Sequence, residues 1–223
     1  MASGNNADKA QAKAQETKDT FLQKLRQDGV VRPQGLAMAG FGAVFLAAVP
    51  LTSWIAQPAG LVEKAVNGVC HSIAYIGSAG ASGKVSQTGK IAALSTLYIA
   101  MTYAFSGAGS VAACQSGLED GRDNKYPRSQ LHKLSGLPLR LYSAHSNLME
   151  MFPGFALSAA LAQVMAPGDQ TLINLLGLHV ISKIFVYYPA YVFNIAAPRS
   201  LAHIVATASV INVALRLAKR PLL

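Results

Sequence analysis

Apolar residues of this chain fall into long runs that are separated by polar segments. A helix needs about 20 apolar residues to cross the hydrocarbon core of a bilayer, and each run is close to that length. Because a bilayer solvates neither charges nor unpaired backbone groups, the pattern predicts membrane-spanning helices. The predicted spans are residues 35–56, 91–113, 137–166, 172–195 and 201–218.

Two segments lie outside this regular pattern. Residues 1–33 are polar and helix-prone, with Phe21, Leu22 and Leu25 on one side of a short helix. They could rest on a membrane surface or another subunit, or form a solvated tail. Residues 58–90 are mixed, and they predict either an interfacial helix or a loop, followed by a flexible Gly/Ser-rich connection.

These patterns predict an all-α integral membrane protein. We expect a four-helix transmembrane bundle with an extra N-terminal membrane segment, which Pro50 should bend. The predicted domains are a polar tail over residues 1–33, an N-terminal extension over residues 34–90, and a four-helix core over residues 91–220.

Composition agrees with a membrane protein and excludes other classes. The chain is 52% hydrophobic and 13% charged, whereas soluble domains carry roughly a quarter charged residues. Its net charge of +9 comes from basic residues beside the apolar segments, where they set orientation and meet lipid headgroups. No basic stripe with interleaved aromatics indicates nucleic-acid binding, and the cysteines and histidines show no metal-ligand spacing.

Polar residues inside the 137–166 span are candidates for function, because ionisable groups are costly in a bilayer. At about 100° per residue, Asn147 lies within about 20° of Arg140, and Glu150 lies about 60° further round the helix. This face should point into the bundle or into a polar cleft. Alternatively, the three residues bridge helices and stabilise the bundle or an oligomer.

A second cluster begins with Tyr187 and Tyr191, which are one helical turn apart. Arg199 follows Pro198 at the start of the last helix, beside free backbone N–H groups. An arginine at a helix N-terminus favours an anion. The alternative is an aromatic belt at the membrane interface with an interfacial arginine.

The segment SAHSNLMEMFPGF, with an arginine seven residues before its asparagine, resembles the signature helix of the membrane-associated proteins in eicosanoid and glutathione metabolism (the MAPEG family). Tyr187-x-x-x-Tyr191 followed by Arg199-Ser200 is similar to a later region of that family, and DNKYPR is similar to a loop motif of some members. The resemblance covers residues 91–220. The signature positions that match are Arg140, Ala144, Asn147, Glu150 and Pro153.

The resemblance implies a homotrimer of four-helix bundles in a membrane, with glutathione bound between neighbouring subunits as co-substrate and no metal. It implies that Asn147 and Glu150 hold the glutamyl end of the peptide, that Tyr191 lines the site and that Arg199 lies close to the sulfur. The implied catalytic residues are Arg199 and Tyr191. The implied glutathione-binding residues are Arg140, Asn147, Glu150 and Tyr187.

The first functional hypothesis is therefore a membrane-bound glutathione-dependent transferase or peroxidase that acts on lipophilic electrophiles. The alternative is a non-catalytic accessory or scaffold subunit of a membrane complex, with a protein partner bound through residues 1–90. Ser143 and Ile184 replace arginines of the family pattern, which weakens the expectation of tight glutathione binding. Ser143 and the extra N-terminal segment favour the alternative, whereas the first hypothesis is favoured by the retained residues Arg140, Asn147, Glu150, Tyr191 and Arg199. For localisation, the endoplasmic reticulum or another internal membrane is favoured, with mitochondrial and plastid membranes as alternatives.

Overall fold

The structure, a computed structural model, describes residues 4–80 and 84–220, and all regular structure in these ranges is helical. The chain forms two compact units, one that ends at Val44 and one that begins at Phe45. Five helical segments are long and apolar enough to cross a membrane. They are Pro33–Ile55, Gln87–Gly117, Gly136–Met165, Gln170–Val192 and Ala196–Ala218. The predicted all-α membrane fold is thus confirmed.

The first unit contains helix α1 (Gly4–Gln27) and a 3-10 helix (Pro33–Phe41). Helix α1 is longer than the short helix that we expected in this segment, and it ends before Gly29, whose φ of +85° suits glycine. Phe21 on α1 is 59% exposed. The unit ends within helix α2 (Gly42–Ala47).

The N-terminal extension continues with two further helices. Helix α3 (Val49–Ile55) has Pro50 in its first turn, where the missing N–H costs no hydrogen bond, and it is separated from α2 by Ala48. For residues 58–90 the sequence predicts either a helix or a loop, and the structure has helix α4 (Leu61–Gly77) there. Residues 81–83 of the predicted Gly/Ser-rich connection lie outside the residues that the structure describes.

Four longer helical segments form the core bundle. The first comprises α5 (Lys90–Ile99), a π-helical segment (Ala100–Phe105) and α6 (Ser106–Gly117). The second is α7 (Gly136–Met165), which continues through Pro153. The third comprises α8 (Gln170–Ile181), a π-helical segment (Ser182–Tyr187) and α9 (Tyr188–Val192). The fourth is α10 (Ala196–Ala218).

Helix α8 lies at the centre of the bundle, and residues 172–180 are all buried. His179 is fully buried there, with its ring stacked on Phe155 at 5.2 Å between centroids. Its Nδ1 atom lies 2.9 Å from the carbonyl oxygen of Ala206 on α10. The third and fourth core spans, which contain α8 and α10, are therefore joined by a buried polar contact as well as by apolar packing.

The extension from Phe45 onward packs against this core. Val66 of α4 is fully buried, and a Cβ atom placed on Gly177 of α8 would lie 2.2 Å from its Cγ2 atom. Asn174 of α8 donates from Nδ2 to the carbonyl oxygen of Ala56 at 3.1 Å. Asn212 of α10 donates to hydroxyl groups of α3. The packed unit therefore begins well before the four core spans.

Candidate functional site

A fully buried lysine, Lys183, is the centre of a polar cluster in the bundle. It lies in the π-helical segment Ser182–Tyr187, and such wide turns are frequent at functional sites. Its Nζ atom is 2.7 Å from the Asn147 Oδ1 atom and 2.7 Å from the His203 Nδ1 atom. The same nitrogen lies 4.1 Å from the centroid of the Tyr187 ring. One ammonium group thus joins the second, third and fourth core spans.

The contacts continue from Tyr187 towards the start of α10. The rings of Tyr187 and Tyr191 are 5.6 Å apart between centroids, as expected for residues one turn apart. The guanidinium carbon of Arg199 lies 4.8 Å from the centroid of the Tyr191 ring. The structure therefore brings Asn147, Tyr187, Tyr191 and Arg199 into one chain of contacts that runs through Lys183.

Arg140 reaches the same region from the beginning of α7. Its Nε atom donates to the carbonyl oxygen of Val192, the last residue of α9, at 2.8 Å. A cation at the C-terminus of a helix satisfies a free carbonyl and interacts favourably with the helix dipole. Arg140 therefore fixes α7 against the end of the helix that carries Tyr191.

Glu150 is placed differently from the other predicted residues. Its side chain is exposed and lines a cleft of about 830 Å³ between α6 and α7. Other residues of this cleft are Tyr103, Arg122, Arg128 and His145. Asn147, Tyr187, Tyr191 and Arg199 are not among the residues that line the cleft. Asn147 and Glu150 thus share α7 and differ in exposure, but the Glu150 carboxylate is close enough to act electrostatically on Lys183 and Tyr187.

Comparison with protein families identifies the bundle. The family model described as MAPEG family matches residues 91–219, which is more than half of the chain. The chain belongs to the MAPEG family. Comparison with curated proteins and with solved structures gives no match. Since the family match begins at residue 91, helices α3 and α4 are additions to the MAPEG core that pack onto it.

Two polar residues of this MAPEG site were not assigned a role from the sequence. Lys183 is a charged residue inside an apolar span, and the cost of such a residue in a bilayer was the signal that could have identified it. His203 was given no role, because the histidines show no metal-ligand spacing in the sequence. Only the fold shows that it lies beside Lys183, because the two residues belong to different helices.

Positive charge dominates the helices around this cluster. Arg140, Lys183 and Arg199 are cations, and Glu150 is the carboxylate of the predicted site. Within residues 4–80 and 84–220, the one recorded ion pair joins Arg220 and Asp169 and involves none of them. In the same ranges, no group of three metal-ligating side chains is close enough to hold a metal ion. The arrangement favours an anionic organic ligand.

Proposed function

We propose that this MAPEG protein is a membrane-bound glutathione-dependent transferase or peroxidase that acts on lipophilic electrophiles. The observation that carries the proposal is the chain of contacts from Asn147 through Lys183, Tyr187 and Tyr191 to Arg199. This chain combines hydrogen-bond donors with two cations, Lys183 and Arg199, that form no ion pair with a carboxylate among the described residues. Glutathione, with two carboxylates and a thiol, has the complementary charge.

The proposed binding residues match the two charged groups on the α-carbon of the glutamyl residue. An asparagine amide donates to a carboxylate, and a glutamate accepts from an ammonium group. Asn147 and Glu150 supply these functions from neighbouring turns of α7, and Arg140 adds positive charge. The family pattern has arginines where Ser143 and Ile184 stand, and Lys183 supplies a cation next to Ile184 in the sequence. The substitutions therefore do not remove all positive charge from the site.

Arg199 is the proposed activator of sulfur. The thiolate is the reactive species, and free thiols have a pKa of about 8.5. A fixed cation in a low-dielectric site lowers the pKa of a bound thiol, and arginine remains charged when it is partly buried. The Tyr191 ring under the guanidinium group holds Arg199 in place through a cation–π contact at 4.8 Å.

In a conjugation, the thiol proton leaves to solvent, the sulfur forms a bond to carbon, and the leaving group of the electrophile departs with its electron pair. With a hydroperoxide, sulfur attacks the terminal oxygen and the O–O bond breaks, which gives an alcohol and a sulfenic acid. A second glutathione converts the sulfenic acid to a disulfide and water. In both reactions, Arg199 acts by stabilising negative charge on sulfur.

The remaining proposals concern assembly and location. We propose a homotrimer with glutathione between subunits, as the family resemblance implies. The lipophilic substrate would reach the site laterally from the bilayer, and the membrane would be that of the endoplasmic reticulum or another internal compartment. Chemical cross-linking of the detergent-purified protein tests the trimer, since a dimer or a monomer at all concentrations would contradict it.

The deciding experiment is glutathione binding to the detergent-purified protein by titration calorimetry, followed by conjugation to 1-chloro-2,4-dinitrobenzene. We expect saturable binding at millimolar concentrations or below, and binding weakened about 10-fold or more in Asn147→Ala, because a hydrogen bond to a charged group is lost. The matched control is Lys219→Ala, an exposed cation after α10. Absence of binding by the folded protein would refute the proposal.

The alternative function is a non-catalytic subunit of a membrane complex. Ser143 and Ile184 support it, as does helix α1, a polar helix with a largely exposed surface. For such a subunit, Arg199→Ala would change assembly or stability without any catalytic effect. A protein that binds no glutathione yet requires residues 4–27 for a stable complex would establish this alternative.

A further inference from the structure

The three N–H groups of the Lys183 ammonium have three neutral partners. Two are the hydrogen-bond acceptors Asn147 Oδ1 and His203 Nδ1, each at 2.7 Å, and the third is the face of Tyr187 at 4.1 Å. Lysine can only donate, so the Asn147 oxygen and the unprotonated Nδ1 atom of His203 must face it. The ammonium group therefore dictates the orientation of both neighbours.

This contact has a direct consequence for the other end of the Asn147 side chain. With the carboxamide oxygen turned towards Lys183, the NH2 group points to the opposite side of the amide plane. Asn147 is half-buried, and no partner within the described residues is recorded for its Nδ2 atom. The end of the amide that remains for a ligand is thus a donor and not an acceptor.

We infer that Lys183 is a positioning residue that fixes the Asn147 carboxamide with its NH2 group towards the ligand, so that this subsite selects an acceptor such as a carboxylate. The inference rests on the proposed function and deepens it. Under this inference, Asn147 receives the α-carboxylate of the glutamyl group and rejects its ammonium group. Glu150, a residue with only acceptor oxygens, is left for the ammonium group.

The surroundings of Lys183 are built to keep this orientation. His203 is held by ring contacts on two sides, with Tyr187 at 5.7 Å and Phe45 at 5.6 Å between centroids. Lys183 itself is fully buried and leaves from a π-helical segment, so its ammonium cannot move to solvent without repacking the bundle. An amide held by a rigid charged donor has one orientation, whereas an isolated asparagine could present either end.

The first test compares glutathione with 4-aminobutyryl-Cys-Gly, which lacks the α-carboxylate. In the unchanged protein we expect the analogue to bind about 10- to 100-fold more weakly, because a hydrogen bond to a charged group is lost. In Lys183→Met, which keeps the length and apolar stem of the side chain, glutathione binding should weaken and the analogue should be affected far less. The ratio of the two affinities should then approach one.

A second measurement does not depend on glutathione. The side-chain amide signal of Asn147, assigned by its loss in Asn147→Asp, should show high order in the unchanged protein and clearly lower order in Lys183→Met. If Lys183→Met does not fold, the experiment uses Lys183→Gln. This variant retains an N–H donor, so it should preserve part of the order of the Asn147 amide.

The outcomes separate the two proposals. An unchanged affinity ratio in Lys183→Met, or an Asn147 amide that remains equally ordered, would overturn the role of Lys183 while leaving the glutathione function intact. Loss of amide order in Lys183→Met, in a protein that binds no glutathione, would support the positioning role and refute the proposed function.

Discussion

The Lys183 ammonium nitrogen lies 2.7 Å from the Asn147 carboxamide oxygen and joins the third core span to the second. Both residues lie within apolar helices, where a charge without compensation is costly. Here the direct contacts are neutral acceptors and an aromatic face, and the Glu150 carboxylate attracts Lys183 electrostatically without forming an ion pair with it. The arrangement leaves an excess of positive charge in the bundle, which suits the anionic peptide that we propose as the ligand.

Replacing Arg199 by alanine should lower kcat/KM for conjugation by about 100-fold or more, which is the usual effect of removing a group that stabilises developing negative charge. The melting temperature should change little, because Arg199 contacts the Tyr191 ring and forms no recorded ion pair in the described part of the chain. Steady-state kinetics with purified protein measure the effect, and Lys219→Ala is the matched control. Full activity in Arg199→Ala would contradict the role of this residue.

Gly177→Ala should destabilise the protein by about 1–3 kcal/mol, as overpacking of a tight core does. The added Cβ atom would lie 2.2 Å from Val66 Cγ2, in a place where both residues are buried. Val66→Ala removes the clashing methyl groups, so the double variant should recover part of the loss. Thermal unfolding in detergent measures the three variants.

The control for this prediction is Gly68→Ala on helix α4, where an added Cβ atom meets nothing within 4 Å. This change should be neutral or slightly stabilising, because alanine favours helix more than glycine does. Equal melting temperatures of Gly177→Ala and the unchanged protein would show that α4 does not pack on α8 as described.

The spans were predictable from the sequence because the membrane imposes a local rule, namely about 20 apolar residues with few charges. The proximity of Tyr187 and Tyr191 on one face of a helix was predictable, because helical spacing is also local. The partnership of Lys183 with His203 was not, since it joins residues of two spans across a π-helical segment that alters helical register. The docking of α4 depends on one glycine of α8, and no pattern within α4 reveals it.

The thiol of Cys70 gives a pH-dependent prediction outside the five candidate spans. Burial raises the pKa of this thiol to about 11 from an ordinary value of 9.0, and the positive charge of Lys90 lowers it to a smaller extent. At pH 8 the thiolate population should therefore be about 100-fold lower in the folded than in the unfolded chain, and alkylation by iodoacetamide correspondingly slow. Mass spectrometry of native and denatured samples checks this.

The same shift makes folding stability depend on pH. Between pH 9 and pH 11 the unfolded chain loses the Cys70 proton while the folded protein keeps it, so the stability that this thiol contributes is complete below pH 9 and decreases as the pH rises. Cys70→Ala should remove this part of the alkaline decrease. An identical pH profile in the variant would show that the pKa of Cys70 is the same in the folded and the unfolded chain.

Asn212 should determine whether helix α3 stays docked on α10. Its Nδ2 atom lies 3.0 Å from Thr52 Oγ1 and 2.8 Å from Ser53 Oγ, and its Oδ1 atom accepts from Arg216 Nε at 3.0 Å. Asn212→Leu keeps the volume and removes all of these bonds, so we expect a loss of about 1–3 kcal/mol. Trp54 on α3 is the only tryptophan of the chain, and the anisotropy of its fluorescence should fall as α3 becomes mobile.

Ser209→Ala is the matched control for this prediction, because the Ser209 hydroxyl donates within α10, to the Val205 carbonyl oxygen at 2.7 Å, and not to α3. It should leave the Trp54 anisotropy unchanged. In a double-mutant cycle, Ser53→Ala should cost less in the Asn212→Leu background than alone, since the two side chains share a hydrogen bond. Strict additivity of the two changes, with constant anisotropy, would mean that apolar contacts alone hold α3 on the MAPEG core.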